Sequence, residues 1–347
     1  MKISTFSLKN SNLIKLEFLY NSVERASYTL STNLLAQKLI ASALLFLGVC
    51  VISFGSILIK LSEVELSPNT TIFNRFWIAS VVFLLLHGYK AIHQRFFSDK
   101  PVEQQFYTAK DLLLLLSAGI FWAITLGLLA WSLTQTSVAV SAILHNLAPI
   151  FTSMAAFLFF RQSFDRIFFI GMVIAIAGAI AIEVEEMHIA TSEFQGGLAA
   201  IGSAIFLTAY LLTIEKLRAK FDPMTIQLWI CVIASLTILP ILLINKDQLF
   251  PSSVNSWLCV TSLALLCQVV GQGLITYSLA RFSSVTVSLV RLLDPVLSSL
   301  YAIVIFSERL SFTNCLGFIG VLIGLYLAVS NQVVNNSLFN PIRERLK

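Results

Sequence analysis

Apolar residues run along this chain in long unbroken stretches, and short polar segments separate them. Ten such stretches of 17 to 25 residues can be marked out. Each is long enough to cross a hydrocarbon layer of about 30 Å as a helix that rises about 1.5 Å per residue. Backbone groups in lipid must be paired internally, so the pattern predicts an all-α integral membrane protein. The predicted spans are 39–59, 71–89, 111–132, 137–160, 167–183, 195–214, 224–244, 256–280, 284–306 and 312–330.

The composition supports this interpretation. Hydrophobic residues make up 57% of the 347 residues and charged residues only 12%, whereas soluble proteins are about 45–50% apolar and about 25% charged. These values exclude a soluble enzyme, a disordered protein and a nucleic-acid-binding domain, so we expect membrane lipid and no nucleic acid as a partner. The five cysteines lie inside spans without a C-x-x-C spacing, which predicts no metal site and no disulfide framework. No cofactor is expected.

The positive charges predict the orientation in the membrane. With ten spans both termini lie on one side, and that side carries 18 Lys and Arg residues against three on the other. Positive residues accumulate on the cytoplasmic side, so both termini are predicted to be cytoplasmic. Residues 1–38 carry charges throughout and have no signal-peptide pattern, so we interpret them as a tail or surface helix. Residues 331–347 form a second predicted cytoplasmic tail.

The two halves of the chain resemble each other. A shift of 146 positions places Pro149 on Pro295, Gly171 on Gly317 and Gly178 on Gly324. We therefore divide the chain into two five-helix units, 39–183 and 195–330, which an outer loop, 184–194, connects. Because five is odd, the second unit must enter the membrane inverted, an architecture typical of secondary transporters. The paired glycines permit close helix packing, either between the fifth and tenth spans or in a homodimer.

The fourth and ninth spans carry related motifs. The ninth contains Leu293-Asp294-Pro295-Val296 and is followed by Ser307-Glu308-Arg309-Leu310; the fourth contains Leu147-Ala148-Pro149-Ile150 and is followed by Arg161-Gln162-Ser163-Phe164.

With the five-plus-five arrangement, these motifs resemble the drug/metabolite transporter superfamily, of EamA type, over about residues 39–330. Gln162 stands where that family often has Glu, and Arg75 matches a basic position common in the family. The resemblance implies efflux or exchange of small organic solutes, often coupled to protons.

Ionisable residues inside spans are costly in lipid and are candidates for function. Arg291 and Asp294 are three positions apart, so they either contact substrate and protons or form an intrahelical ion pair. His145 maps onto Arg291 by the 146 shift, and Asn146 lies beside it. These four residues predict a polar cavity shared by both halves, and the alternative for His145 is a hydrogen-bonded core histidine.

Amphipathic side chains in the third and eighth spans complete the predicted binding site. Gln268 and Gln272 are four positions apart, Gln268 maps onto Trp122, and Tyr277 maps onto Trp131. A mostly apolar cavity with a few polar anchors suits a small organic ligand. The alternative is hydrogen bonding between helices. Arg75, about one turn inside the outer end of the second span, either joins the site or extends to the outer interface.

These patterns predict a secondary transporter that exports or exchanges small organic metabolites by alternating access, without enzymatic activity. A bacterial plasma membrane is the expected location, and Asp294 or His145 is the candidate for proton coupling. The chain has no phosphate-binding G-x-x-x-x-G-K-[ST] motif, which excludes an intrinsic ATP-driven pump. The alternatives are a membrane-embedded enzyme acting on lipid or isoprenoid substrates and a sensor or scaffold that transports nothing.

Overall fold

A computed structural model of the chain describes residues 36–62, 64–97, 107–136, 138–183, 193–306 and 312–343. These ranges are helical, joined by turns, and contain no strand, which confirms the all-α prediction. The helices are α1 (36–53), α2 (Gly55–Ser62), α3 (Pro68–Phe97), α4 (Ala109–Gln135), α5 (Val138–His145), α6 (Ala148–Phe160), α7 (Arg166–Glu183), α8 (Glu193–Leu217), α9 (Pro223–Ile244), α10 (Val254–Ser262), α11 (Gly273–Ser278), α12 (Ser284–Val290), α13 (Leu293–Phe306) and α14 (Phe312–Arg343). A π-helical segment, Leu263–Gln272, connects α10 to α11.

Eight helical stretches in the described chain are long and apolar enough to cross a membrane. Two further stretches, Arg166–Ile182 and Cys315–Val329, are apolar but shorter. They fall on the fifth and tenth predicted spans. The chain is therefore a multi-pass membrane protein.

The chain divides into two compact units, residues 1–44 and residues 45–347. The described part of the first unit, 36–44, is helical, and the Ser42 hydroxyl there donates to the Lys38 carbonyl oxygen at 2.9 Å. The second unit contains one large cluster of buried apolar side chains that extends from Leu45 to Ala328.

Side-chain caps determine where several helices begin. Thr108 and Asp111 form a capping box at the start of α4, each accepting a hydrogen bond from the other's backbone N–H. Asp222 caps α9 immediately before Pro223, a residue favoured in the first helical turn because its missing N–H costs nothing there. Ser253 caps α10 in the same way. Two of these capping residues, Ser253 and Asp111, also contact the other half of the chain.

Two predicted spans are interrupted in the middle. The fourth breaks at Asn146–Leu147 and the ninth at Arg291–Leu292. A proline follows each break, Pro149 and Pro295, and its ring clashes with the carbonyl of the residue four positions earlier. The sequence predicted a single helix for each span, and proline at the equivalent place in each half explains why both are broken.

The eighth span departs from α-helical geometry. Residues Leu263–Gln272 are π-helical, so each turn holds more residues than in the flanking α10 and α11. π-Helical turns inside α-helices are frequently found at functional sites. The equivalent third span, α4, is a continuous α-helix, so the two halves differ at this point.

The glycine-bearing faces of α7 and α14 pack against each other. A Cβ atom built on Gly171 would lie 2.5 Å from the backbone nitrogen of Ala328, and one on Gly178 would lie 2.6 Å from that of Val321. Contacts this short permit only glycine. Of the two roles predicted for these glycines, the structure shows packing between the fifth and tenth spans within one chain. A homodimer stays a prediction, and it requires another surface.

Other pairs of helices also join the first half to the second. Helix α3 packs against α9, α4 packs against both α8 and α9, and α6 packs against α12. The π-helical segment packs against α2 and α3.

Two groups of polar contacts join loop regions of the two halves, and we call them the Glu65 clasp and the Lys220 clasp. In the Glu65 clasp, the Glu65 carboxylate accepts hydrogen bonds from Ser253 Oγ at 2.5 Å and Ser256 Oγ at 2.6 Å. Nearby, Asn69 Nδ2 donates to Asp247 Oδ2 at 2.9 Å. The serine hydroxyls lower the pKa of Glu65 below its ordinary value of 4.5, so it is ionised at neutral pH.

The Lys220 clasp lies in the loop between α8 and α9. Lys220 forms an ion pair with Asp111, the capping residue of α4. Beside it the rings of Tyr107 and Phe221 stack with centroids 5.2 Å apart. Arg218 Nε donates to the Thr276 carbonyl oxygen at 2.9 Å, and burial lowers the pKa of this arginine from its ordinary value.

Candidate functional site

The two helix breaks meet at a small cavity. Four of the predicted site residues, His145, Asn146, Arg291 and Asp294, lie in its wall. The remaining lining residues are Ala148, Pro149, Leu207, Ser288 and Leu292. The cavity volume is about 20 Å³, which is room for roughly one water molecule. Both halves of the chain contribute a broken helix to the cavity.

Asp294 is held by a residue from the first span. Ser53 Oγ donates to Asp294 Oδ1 at 2.5 Å, and Ser53 is itself buried. Within the described residues no ion pair joins Asp294 to Arg291, so the intrahelical ion pair that their spacing suggested is not formed. The break explains this, because Arg291 lies in it while Asp294 lies in α13, so the two residues do not share one continuous helix. One guanidinium nitrogen of Arg291, Nη1, is buried without a hydrogen-bond partner.

His145 is anchored to the second half of the chain. Its Nδ1 lies 2.7 Å from Ser203 Oγ on α8, and the Ser203 hydroxyl donates to the Ala200 carbonyl oxygen at 2.7 Å. Which of the two atoms donates in the contact between His145 and Ser203 depends on the tautomer of the imidazole ring. The contact with Ser203 is the hydrogen bond that the alternative interpretation of His145, a core histidine, requires. The same residue also lines the cavity.

A second group of polar residues lies in the core beside the cavity. Arg75 is only 6% exposed, and its Nε donates to Gln268 Oε1 at 3.0 Å. Gln268 Nε2 donates to Gln227 Oε1 at 3.2 Å, and Gln227 Nε2 donates to Thr276 Oγ1 at 2.6 Å. The predicted alternative that Arg75 extends to the outer interface is therefore wrong. Its guanidinium is instead held inside the bundle by the π-helical segment.

Two aromatic rings adjoin this polar network. Trp122 and Tyr210 stack with ring centroids 4.5 Å apart and an interplanar angle of 19°. The Tyr210 hydroxyl accepts a hydrogen bond from Gln227 Nε2 at 3.4 Å, which links the stack to Gln268 and Arg75. Trp122 is 2% exposed, and its indole N–H has no hydrogen-bond partner.

Gln272 is the least satisfied side chain of the set. It is 1% exposed, and neither its amide oxygen nor its amide nitrogen has a hydrogen-bond partner. Leaving a buried polar group unpaired costs roughly 1–3 kcal/mol.

Tyr277 lies away from this group. Its side chain is 43% exposed on α11, and Trp131, its equivalent in the first half, is 48% exposed. The sequence comparison paired these two residues, and the structure gives both an exposed environment. The structure places Tyr277 outside the cavity wall.

Three residues that connect the site were not predicted from the sequence. They are Ser53, Ser203 and Gln227, which hold Asp294, His145 and Gln268 respectively. Gln227 in the middle of the seventh span was a detectable signal, because an amide is rare in lipid. The serines gave none, because serine is common in membrane helices and here becomes significant only through its partner.

The fold and the broken helices define a multi-pass membrane protein of a transporter family. The family model of the EamA-like transporter family matches residues 39–184 and again residues 194–330. The chain belongs to the EamA-like transporter family, which makes it a membrane transporter of small substrates.

Similarity to individual proteins is low. An uncharacterized transporter of Clostridium kluyveri is 21% identical over 269 residues, covering 76% of this chain and 86% of its own length. A WAT1-related protein of Arabidopsis thaliana, described as chloroplastic, is 23% identical over 214 residues. That match covers 58% of this chain and half of the Arabidopsis protein.

A solved crystal structure shows the same fold. It superposes with a TM-score of 0.68 at 15% identity, covering 83% of this chain and 97% of the other.

Proposed function

We propose that the protein is a secondary transporter that exports or exchanges small organic metabolites by alternating access. The observation that carries this proposal is the cavity at the junction of two broken helices, one from each half. Broken helices that meet near the middle of a bundle expose backbone polar groups to a bound solute while the surrounding protein shields them from lipid.

The pattern of helix contacts supports a five-plus-five inverted repeat of ten spans. Exchanging the first half for the second leaves the pairs α3–α9 and α7–α14 in equivalent positions. The same exchange relates the packing of α4 on α8 to that of the π-helical segment on α2. We place the joint of the repeat in residues 184–194 and both termini in the cytoplasm, of a bacterial plasma membrane.

The two clasps support alternating access. The exchange of halves also converts one clasp into the other. The Glu65 clasp joins the loop after the first span to the start of the eighth span, and the Lys220 clasp joins the loop after the sixth span to the start of the third span. In the proposed orientation, the Glu65 clasp is outside and the Lys220 clasp is inside. Both are formed here, and the cavity of about 20 Å³ is too small for an organic solute. A transporter closed on both sides would have this arrangement, and each clasp would open in turn.

Asp294 is the proposed proton-coupling group. Its carboxyl group lines the cavity together with Arg291 and accepts from Ser53. Substrate that contacts Asp294 or Arg291 would compete with these neighbours, so binding and protonation would depend on each other.

Counterflow in proteoliposomes tests the proposal. Protein reconstituted with a preloaded metabolite should exchange it for radiolabelled solute from a panel of amino acids, nucleosides, sugars and organic ions. An Asp294→Asn variant should lose the dependence of uptake on a pH gradient, because no titrating group remains at that position. Asp222→Asn is the matched control, since asparagine caps a helix as well as aspartate does.

Two results would contradict the proposal. Unchanged pH dependence in Asp294→Asn would remove this residue as the coupling group. Absence of exchange across the panel, from protein shown to be folded, would remove the transporter assignment, and turnover of lipid by the same proteoliposomes would then favour the enzyme alternative.

A further inference from the structure

We propose that the site binds organic anions, with a carboxylate or an equivalent negative group contacting Arg75 and Arg291 and an apolar body beside Trp122. This inference rests on the transporter function proposed above and specifies its substrate class.

The balance of charge at the site is positive. Arg291 lies in the cavity wall, and helix α1 connects that wall to the polar network of Arg75. Ser53 on α1 donates to Asp294, and the Val51 carbonyl oxygen, two residues earlier, accepts from Cys267 Sγ at 3.4 Å, next to the Gln268 that contacts Arg75. Asp294 is the only carboxylate in the cavity wall, and it accepts from Ser53. Arg75 has a neutral glutamine as its partner, and no carboxylate of the described chain pairs with it. Two guanidinium groups against one carboxylate, inside a membrane protein, constitute an excess of positive charge that an anion would neutralise.

Among the residues of the site, most of the buried hydrogen-bonding atoms without a partner are donors. They are Nη1 of Arg291, the amide nitrogen of Gln272 and the indole nitrogen of Trp122. The amide oxygen of Gln272 is the one unpaired acceptor among them. Carboxylate and phosphate groups accept hydrogen bonds from several donors at once, and arginine suits them because its planar donor geometry matches theirs. A cationic substrate would meet the wrong charge and mostly the wrong hydrogen-bonding groups.

The rest of the site is apolar. Trp122 stacks on Tyr210, and Leu207 and Leu292 line the cavity. These surfaces would contact the hydrocarbon or aromatic part of a substrate. They would contribute little to discrimination between anionic, neutral and cationic substrates. The anion preference therefore depends on the two arginines.

Matched probes that share one skeleton and differ in charge test the inference. Phenylacetate is the anion, phenylacetamide the neutral isostere and phenethylamine the cation. Phenyl phosphate distinguishes a phosphate-binding site from a carboxylate-binding one. Binding is measured as thermal stabilisation of the purified full chain, because a ligand that binds only folded protein raises its stability with concentration. Counterflow of the same four compounds in proteoliposomes measures transport.

We expect phenylacetate or phenyl phosphate to bind at least tenfold more tightly than the amide and the amine. Arg75→Gln and Arg291→Gln should remove that preference. Arg166→Gln is the matched control, since Arg166 is exposed at the start of α7. Arg75→Lys and Arg291→Lys keep the charge and lose the planar donor geometry, so these variants should show an intermediate preference for the anions. They replace the glutamine variants in the test if those fail to fold.

The outcomes separate this inference from the proposed function. Equal or tighter binding of the amide or amine, or no stabilisation by either anion, would overturn the anion preference. Counterflow of the amide or amine alone would overturn it while supporting the transporter. Arginine-dependent anion binding without counterflow would support the anion site and contradict the transporter.

Discussion

At the scale of single residues, Asp294 is held by one hydroxyl from a distant part of the sequence. Ser53 and Asp294 are 241 positions apart, and their contact joins the first span to the ninth. Asp294 was predicted from the sequence because a carboxylate inside a span is rare. Ser53 was not predicted, because serine is common in membrane spans. Burial and partner, which only the fold supplies, turn an ordinary residue into part of the site.

Replacing Ser53 with Ala should destabilise the protein. The variant leaves a buried carboxylate without its hydroxyl donor, and a hydrogen bond to a charged group contributes about 1.5–3 kcal/mol. Thermal or chemical unfolding of the purified protein measures the change. Ser42→Ala, on the same helix and exposed, should alter stability by less than about 0.5 kcal/mol. Equal effects of the two variants would show that the Asp294 contact contributes nothing.

At the scale of helices, irregular geometry places the polar residues. Proline in the fourth and ninth spans breaks both helices where the cavity lies, and the π-helical turn carries Gln268 and Gln272. The prolines were visible in the sequence and the 146-position shift paired them. The π-helical turn has no such signal, because it depends on how α2 and α3 pack against it. The same packing decides that Arg75 faces Gln268.

The close contact between the glycine faces of α7 and α14 predicts that a larger residue there destabilises the protein. A Cβ atom added at Gly324 would overlap the backbone of Ala175, and backbone cannot move aside as a flexible side chain can. Gly324→Ala should therefore cost about 1–3 kcal/mol of stability, the usual range for overpacking. Gly88→Ala is the control, since nothing lies within 4 Å of its added Cβ. It should be neutral or stabilising, because alanine favours a helix more than glycine by about 1 kcal/mol.

Unfolding temperatures of the two glycine variants, measured side by side, test the difference. If Gly324→Ala unfolds no earlier than Gly88→Ala, the close contact between α7 and α14 does not exist in the protein.

At the scale of the whole molecule, the sequence predicted the helical class, the positions of the apolar stretches and the family. Apart from the glycine contact between the fifth and tenth predicted spans, which was one of two alternatives, it could not predict which helices of one half contact which helices of the other. Hydrophobic periodicity reports burial against lipid and protein alike, since both are apolar. The separation of Tyr277 from Trp122 shows this limit, because both are aromatic residues in spans and only Trp122 is enclosed.

The two clasps predict opposite effects on access to the cavity. Glu65→Gln weakens the first clasp, and Lys220→Ala removes the ion pair of the second. With Ser288→Cys in a background without other cysteines as reporter, a membrane-impermeant maleimide should label Glu65→Gln several-fold faster from outside. Lys220→Ala should be labelled faster from the cytoplasmic side. Labelling that rises equally from both sides in either variant would contradict alternating control by the clasps.

The contact between α7 and α14 has a consequence for how this molecule can be built. The two helices belong to different halves, and their backbones come into close contact at Gly171 and Gly178 of α7 and at Gly317, Gly320 and Gly324 of α14. This packing acts between the halves and needs no covalent connection. Two separately translated polypeptides, cut within residues 184–192, should therefore reassemble in one membrane. An ancestral gene encoding a single half would already have contained the surface on which two copies could meet.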